Sequence, residues 1–164
     1  MVPADATSMR LECVEPRSEA LWKASIECRY RNLYLPFGLG REVAISALDE
    51  PREREDVMHL VGLLGGEVVG TGRMDLQPAH ERGPSAQIRY CAVDERVRGR
   101  DVGQALLREF ERVAHARGIG RRWMDAREGA VKFYGRMGYR DVGEGPLKFG
   151  LIRHRVMEKF LTEP

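Results

Sequence analysis

Arg98, Gly99, Arg100, Asp101, Val102 and Gly103 follow a β-rich run and open an amphipathic one. A strand, a glycine-containing turn and a helix together make a recurrent phosphate site. The first helical turn has unpaired N–H groups and a partial positive charge of roughly half an electron. Gly99 and Gly103 let that backbone approach an anion, while Arg98 and Arg100 add full charges that can meet phosphate oxygens in a bidentate way. Alone, these residues specify an anion site and no more, since many strand-to-helix turns hold two glycines without a ligand.

Val93 to Leu107, V-D-E-R-V-R-G-R-D-V-G-Q-A-L-L, resembles the acetyl-CoA loop of the GNAT superfamily, whose core is [QR]xxGx[GA]. Arg98 fills the first position and Gly103 the last; Asp101 stands where the pattern has its middle glycine. Aspartate tolerates unusual backbone angles better than most residues, but its charge beside a pyrophosphate costs on the order of 1 kcal/mol even in water. The expectation is weakened CoA affinity, or a geometry that aims the carboxylate away.

Downstream, Asp125 to Tyr139, D-A-R-E-G-A-V-K-F-Y-G-R-M-G-Y, resembles the second GNAT signature, AxxFYxxxGY, at the family's usual distance after the first. Gln87-Ile88-Arg89-Tyr90 and His154-Arg155-Val156-Met157 are similar to one uncharacterised bacterial subgroup, which carries Asn in place of Asp125 and Pro in place of Arg153. The resemblance implies an α/β (α+β) GNAT fold: a mixed, mostly antiparallel sheet of about seven strands flanked by about four helices.

It also implies an N-acetyltransferase in which an amine attacks acetyl-CoA directly, with no metal. A CoA-binding module with little or no turnover is the alternative. By the same resemblance the backbone of Cys91, Ala92 and Val93 receives the pantetheine arm and polarises the thioester. Arg98, Gly99, Arg100, Asp101, Val102, Gly103 and Gln104 hold the pyrophosphate, and Asp125, Ala130, Phe133 and Tyr134 complete the cofactor site. Tyr134 aligns with the tyrosine that protonates the departing sulfur; packing beside Phe133 as a core aromatic is its other reading.

An alkylamine of pKa about 10.4 needs a base, or a dry pocket, to free its lone pair. His154 is the catalytic candidate, with Glu128 and Glu144 near it in sequence order. Arg29, Arg73 and Arg89 would suit a carboxylate-bearing acceptor, and each reads equally as a solvated arginine or an internal ion pair.

The elements that must position these groups follow from pattern. Arg10 to Val14 alternates as a strand, and Ser18 caps a helix from Glu19 to about Tyr30 with a mixed face. Val57 to Leu64 and Glu67 to Met74 form a hairpin across Gly65 and Gly66, and Ala86 to Val93 is a third long strand. Val102 to about Arg117 recurs at helical spacing up to a stop at Gly118. Arg122 to Ala126 is a short strand, Ala130 to Met137 a short helix ended by Gly138, and Arg155 to Leu161 a last strand. Val43 to Arg54 reads as a loop or short helix, and Gln77 to Ser85, with two prolines, as a loop.

With 164 residues, 43% hydrophobic and 32% charged, the chain reads as one globular domain, residues 1–164. Its charge of +2, from 27 basic and 25 acidic residues spread evenly, gives no reason to expect nucleic acid or membrane as partner. Cys13, Cys28 and Cys91 form neither a complete set of pairs nor a zinc pattern, so a reducing compartment is expected. Met1 to Ser8 lacks a signal-peptide pattern, and the expectation is a cytoplasmic protein. The partner expected is a small-molecule or peptide amine, and the family resemblance implies a possible homodimer.

Overall fold

The computed structural model describes residues 10–46, 54–77 and 83–161. The lead at residues 1–8 and parts of the two loop stretches, 47–53 and 78–82, lie outside the described residues. Among the described residues, seven strands, β1 (Leu11–Val14), β2 (Val57–Leu64), β3 (Glu67–Gln77), β4 (Ser85–Val93), β5 (Arg121–Arg127), β6 (Arg140–Glu144) and β7 (His154–Phe160), form one sheet in the order β1-β2-β3-β4-β5-β7-β6. The α-helices among the described residues are α1 (Glu19–Leu33), α2 (Arg41–Ser46), α3 (Val102–Ala116) and α4 (Val131–Arg136). This is the α/β architecture expected from the motifs. The chain gathers into two compact units, Met1–Arg73 with Tyr90–Glu109 and Met74–Arg89 with Phe110–Pro164.

In the first unit β1 runs antiparallel to β2, with Leu11 opposite Leu64 and Val14 opposite Val61. The Ser18 hydroxyl accepts from Leu21 N at 3.1 Å, satisfying one of the orphan donors that open α1. Cys28 of α1 is fully buried against Val61 and Val68, with Val14, Leu21, Ala24 and Leu63 around them. Burial, and then Asp94, push its thiol up to about 12, so it packs as a small inert hydrophobe.

Gly65 and Gly66 carry φ of 60° and 81°, the doubly left-handed turn that matches strand twist in a two-residue hairpin. Gly62 on β2 and Gly70 on β3 have a different reason to be glycine. A Cβ on Gly62 would lie 3.0 Å from Cγ1 of Val102; on Gly70 it would lie 2.8 Å from that atom and 3.1 Å from Leu106 Cδ1. The two glycines make a floor on which the first turn of α3 rests.

In the second unit β4 lies parallel to β5 over Ser85–Gln87, opposite Arg121, Arg122 and Trp123. Along its whole length β5 is antiparallel to β7, and β6 adds to the far side of β7 with an irregularity between Asp141 and Gly143. Phe110, Ala114, Met124, Ala126 and Met157 form its buried apolar interior. Arg121 and Glu158, both buried, pair at 3.1 Å, and Lys159 Nζ lies 2.9 Å from Glu111 Oε2. After α3, Gly118 adopts φ 75° while Ile119 N donates back to Ala114 O at 2.9 Å; Gly138, at φ 95°, and Tyr139 N to Tyr134 O at 3.0 Å repeat the device after α4. Both are the left-handed C-terminal stop read from sequence.

Candidate active site

The loop between β4 and α3 belongs to the first unit. A 3-10 turn at Glu95–Val97 leads to Arg98, Gly99, Arg100 and Asp101, all exposed. Gly99 takes φ 87° with open space where a Cβ would be. Asp101 takes φ 61°, so the aspartate occupies the left-handed conformation for which a glycine is the usual choice. The first ladder bond of α3 runs from Ala105 N to Asp101 O at 2.9 Å, which places the N–H groups of Val102, Gly103 and Gln104 ahead of the ladder. When the Gln104 amide is oriented to satisfy both its ends, its nitrogen donates to Asp101 Oδ1 at 3.2 Å and its oxygen accepts from Arg108 at 2.7 Å. The Asp101 carboxylate is thereby engaged by its own helix. Gly99, the two arginines and the leading N–H groups suit a diphosphate, and Val102, buried on the glycine floor, fixes where that helix end lies.

Upstream, Tyr90 sits inside β4 at φ 54°. A bulky residue with positive φ is an outlier that a regular strand does not need, and left-handed residues in strands are how bulges redirect a chain. The register with β5 covers Ser85 to Gln87, well short of Cys91, Ala92 and Val93. Ala92 is buried, and Cys91 and Val93 are half-buried.

Asp94 closes this segment. Its carboxylate accepts from Arg31 Nε at 2.8 Å, Arg31 Nη2 at 2.7 Å and Asn32 Nδ2 at 2.7 Å, and its N–H donates to Val69 O at 2.8 Å. The end of α1 and strand β3 thus grip the residue from which the anion loop departs.

In the second unit Tyr134 is 8% exposed on α4, edge-on to Phe133 at 5.1 Å and to Tyr139 at 6.0 Å between ring centres. Ala130 is the residue ahead of α4. Asp125 lies on β5 opposite Val156, where its charge bears on Lys148. His154, 5% exposed, stands opposite Arg127 on the same ladder. Its Nδ1 is 2.9 Å from Pro146 O; a carbonyl can only accept, so Nδ1 holds the proton and Nε2 carries the lone pair of a neutral ring. Burial first, and then the charges of Lys148 and Arg127, push its pKa below 6.5 against the carbonyls of Pro146 and Ile152.

A family model, the acetyltransferase (GNAT) family, matches residues 24–139. The chain belongs to this family. It is 30% identical over 77 residues to glucosamine 6-phosphate N-acetyltransferase of Trypanosoma brucei brucei, an overlap of 46% of this chain and 52% of that enzyme, so the chain spans about half the length of that curated relative. An acyl-CoA N-acyltransferase from Pseudomonas aeruginosa shares the fold at a TM-score of 0.71 and 20% identity, covering 93% of this chain and 99% of that one. An aminoglycoside 6'-N-acetyltransferase solved with coenzyme A shares it at 0.70 and 15%, covering 95% and 99%.

The GNAT signature residues divide between the units. Cys91 to Val93 and Arg98 to Gln104 are gathered in the first, and Asp125, Ala130, Phe133, Tyr134 and His154 in the second. Of the three arginines singled out from sequence, Arg89 is an ion pair with Asp75 at 3.2 Å. Arg73 is buried, and Arg29 is buried with Nε and Nη1 lacking a hydrogen-bond partner among the described residues. Glu128 and Glu144 are both exposed. Sequence reasoning missed Asp94: its partners Arg31 and Asn32 are more than sixty residues away, and no spacing rule joins them.

Proposed function

We propose that the chain is an N-acetyltransferase that takes acetyl-CoA and passes its acetyl group to a primary amine. One observation carries this reading: in a GNAT chain, the Arg98–Gln104 loop has left-handed turns at Gly99 and Asp101 and leads into a helix start with N–H groups and two exposed arginines. Arg98 and Arg100 meet the pyrophosphate, and backbone N–H groups of Cys91 to Val93 take the arm and the thioester carbonyl. The amine nitrogen attacks the carbonyl carbon, a C–N bond forms and the C–S bond breaks. His154 Nε2 takes the proton that the amine loses, and Tyr134 supplies one to the departing sulfur. Asp125, Ala130 and Phe133 belong to the same cofactor site by their place in the second signature. The protein works in the cytoplasm, and a homodimer is its proposed assembly.

The test is a thermal-shift titration with CoA and acetyl-CoA, followed by thiol release screened over amines. A ligand at a hundred times its dissociation constant adds about 2.7 kcal/mol of stability. Absence of any shift would remove the reading, and binding without thiol release against every amine would reduce it to a binding module.

A further inference from the structure

Arg29 is among the largest fully buried side chains, and two of its donors have no acceptor among the described residues. It is 2% exposed, in the interior of α1, and the donors without a partner among the described residues are Nε and Nη1. Its guanidinium carbon lies 4.3 Å from the centre of the Tyr90 ring. The ring face stabilises the cation, while Nε and Nη1 stay without acceptors among the described residues. The buried Arg73 adds a second positive charge that bears on Arg29. Asp94, the buried carboxylate of this unit among the described residues, is engaged by Arg31 and Asn32. Among the described residues, the groups whose charges bear on Arg29 are Tyr34, Tyr90, Arg73 and Cys91.

A buried guanidinium is costly unless it is both charge-compensated and hydrogen-bonded. An oxyanion, a carboxylate or a phosphate, would both accept from such a donor and balance the buried charge. Tyr90, on which Arg29 rests, directly precedes Cys91. We infer that the acceptor amine carries an oxyanion, a carboxylate or a phosphate, and that Arg29 receives it beside the bent part of β4. The inference rests on the acetyltransferase reading and adds the acceptor's chemical class to it.

Three amines of similar length separate the possibilities: 3-aminopropanoate, 2-aminoethyl phosphate and the neutral 3-aminopropanamide, each tested with acetyl-CoA by thiol release. The expected result is a kcat/KM at least about tenfold higher for one of the anionic amines than for the amide, since a site built for polar groups rejects an analogue that leaves them unpaired. Which of the two is preferred distinguishes carboxylate from phosphate. In Arg29→Met that ratio should fall below about tenfold, with the variant's melting temperature as a check on folding. Equal use of the amide, or a preference that survives the substitution, would overturn the inference. A second readout needs neither turnover nor a folded variant: in the wild-type protein saturated with CoA, only an anionic compound should raise the melting temperature further, and identical behaviour of all three would also overturn it. Failure of CoA itself to shift the melting temperature would instead remove the acetyltransferase reading.

Discussion

Arg31 donates from two nitrogens to the two carboxylate oxygens of Asp94, at 2.8 and 2.7 Å, and so ties the last turn of α1 to the residue that follows β4. Burial alone would raise the Asp94 pKa; the hydrogen bonds from Arg31 and Asn32 outweigh it and hold the carboxyl below its ordinary 3.8. A depressed folded pKa stabilises fully above the unfolded value, and the contribution is lost as pH falls through the folded one. Asp94→Asn should therefore cost about 2 kcal/mol at pH 7, and in acid titration should lack the part of the wild-type loss that sets in below about pH 4. Chemical denaturation across that range is the measurement, and parallel curves for the two proteins would contradict the assignment.

Gly70→Ala places a methyl 2.8 Å from Val102 and 3.1 Å from Leu106, with the Ala92 carbonyl at 3.3 Å on the remaining side. Overpacking of this kind costs about 1–3 kcal/mol, and it should act on CoA binding as well because α3 must lift to make room. Titration calorimetry should show a weaker CoA complex than in the parent; destabilisation with unaltered affinity would show that the helix end does not contact the ligand.

Asp101 is held by Gln104 and already has the dihedral that a glycine would supply. Asp101→Gly should change the CoA dissociation constant by less than about threefold, under about 0.7 kcal/mol. Asp101→Val, β-branched at positive φ, should cost about 1–2 kcal/mol of stability. A tenfold gain in affinity for the glycine variant would mean that the carboxylate faces the phosphates.

Tyr134→Phe keeps the ring that packs on Phe133 and Tyr139 and removes only the hydroxyl. Turnover should drop by about tenfold or more, the share of general-acid catalysis that a thiolate of pKa about 8.5 still requires, with acetyl-CoA affinity nearly intact. Steady-state kinetics decide: unaltered kcat would take the hydroxyl out of the mechanism.

His154 is buried and neutral, with a folded pKa below 6.5. The unfolded chain therefore binds more protons there, and the native state is fully favoured above about pH 6.5 and loses stability as pH falls through the folded pKa. Asn at this position can still donate to the Pro146 carbonyl and does not titrate. His154→Asn should be flatter than the parent in stability as pH falls below about 6.5, and an identical slope would contradict burial of the ring.

Much of this was legible in the residues. The α3 face ran to its glycine stop, Gly65 and Gly66 announced the hairpin, and the two signatures fixed the family before any coordinate. Other elements had no local signal. Strand β6, Arg-Asp-Val-Gly-Glu, contains one sizeable apolar residue, Val142, which is exposed; it is a strand because β7 offers it a ladder. The positive φ of Tyr90 is equally silent, since tyrosine is a good strand former everywhere else. Arg29 could be placed on a helix face, but only the packed structure shows that its Nε and Nη1 end without acceptors among the described residues.

The bend at Tyr90 has a consequence for how this protein can vary. A single-residue slip exchanges the two faces of a strand, so the end of β4 is a measuring rod between Tyr90, stacked with Arg29, and the clasp on Asp94. Side chains along it can drift so long as the count of residues between those two fixed points stays constant. Insertions and deletions accumulated over descent should fall almost anywhere in this chain sooner than between Tyr90 and Asp94.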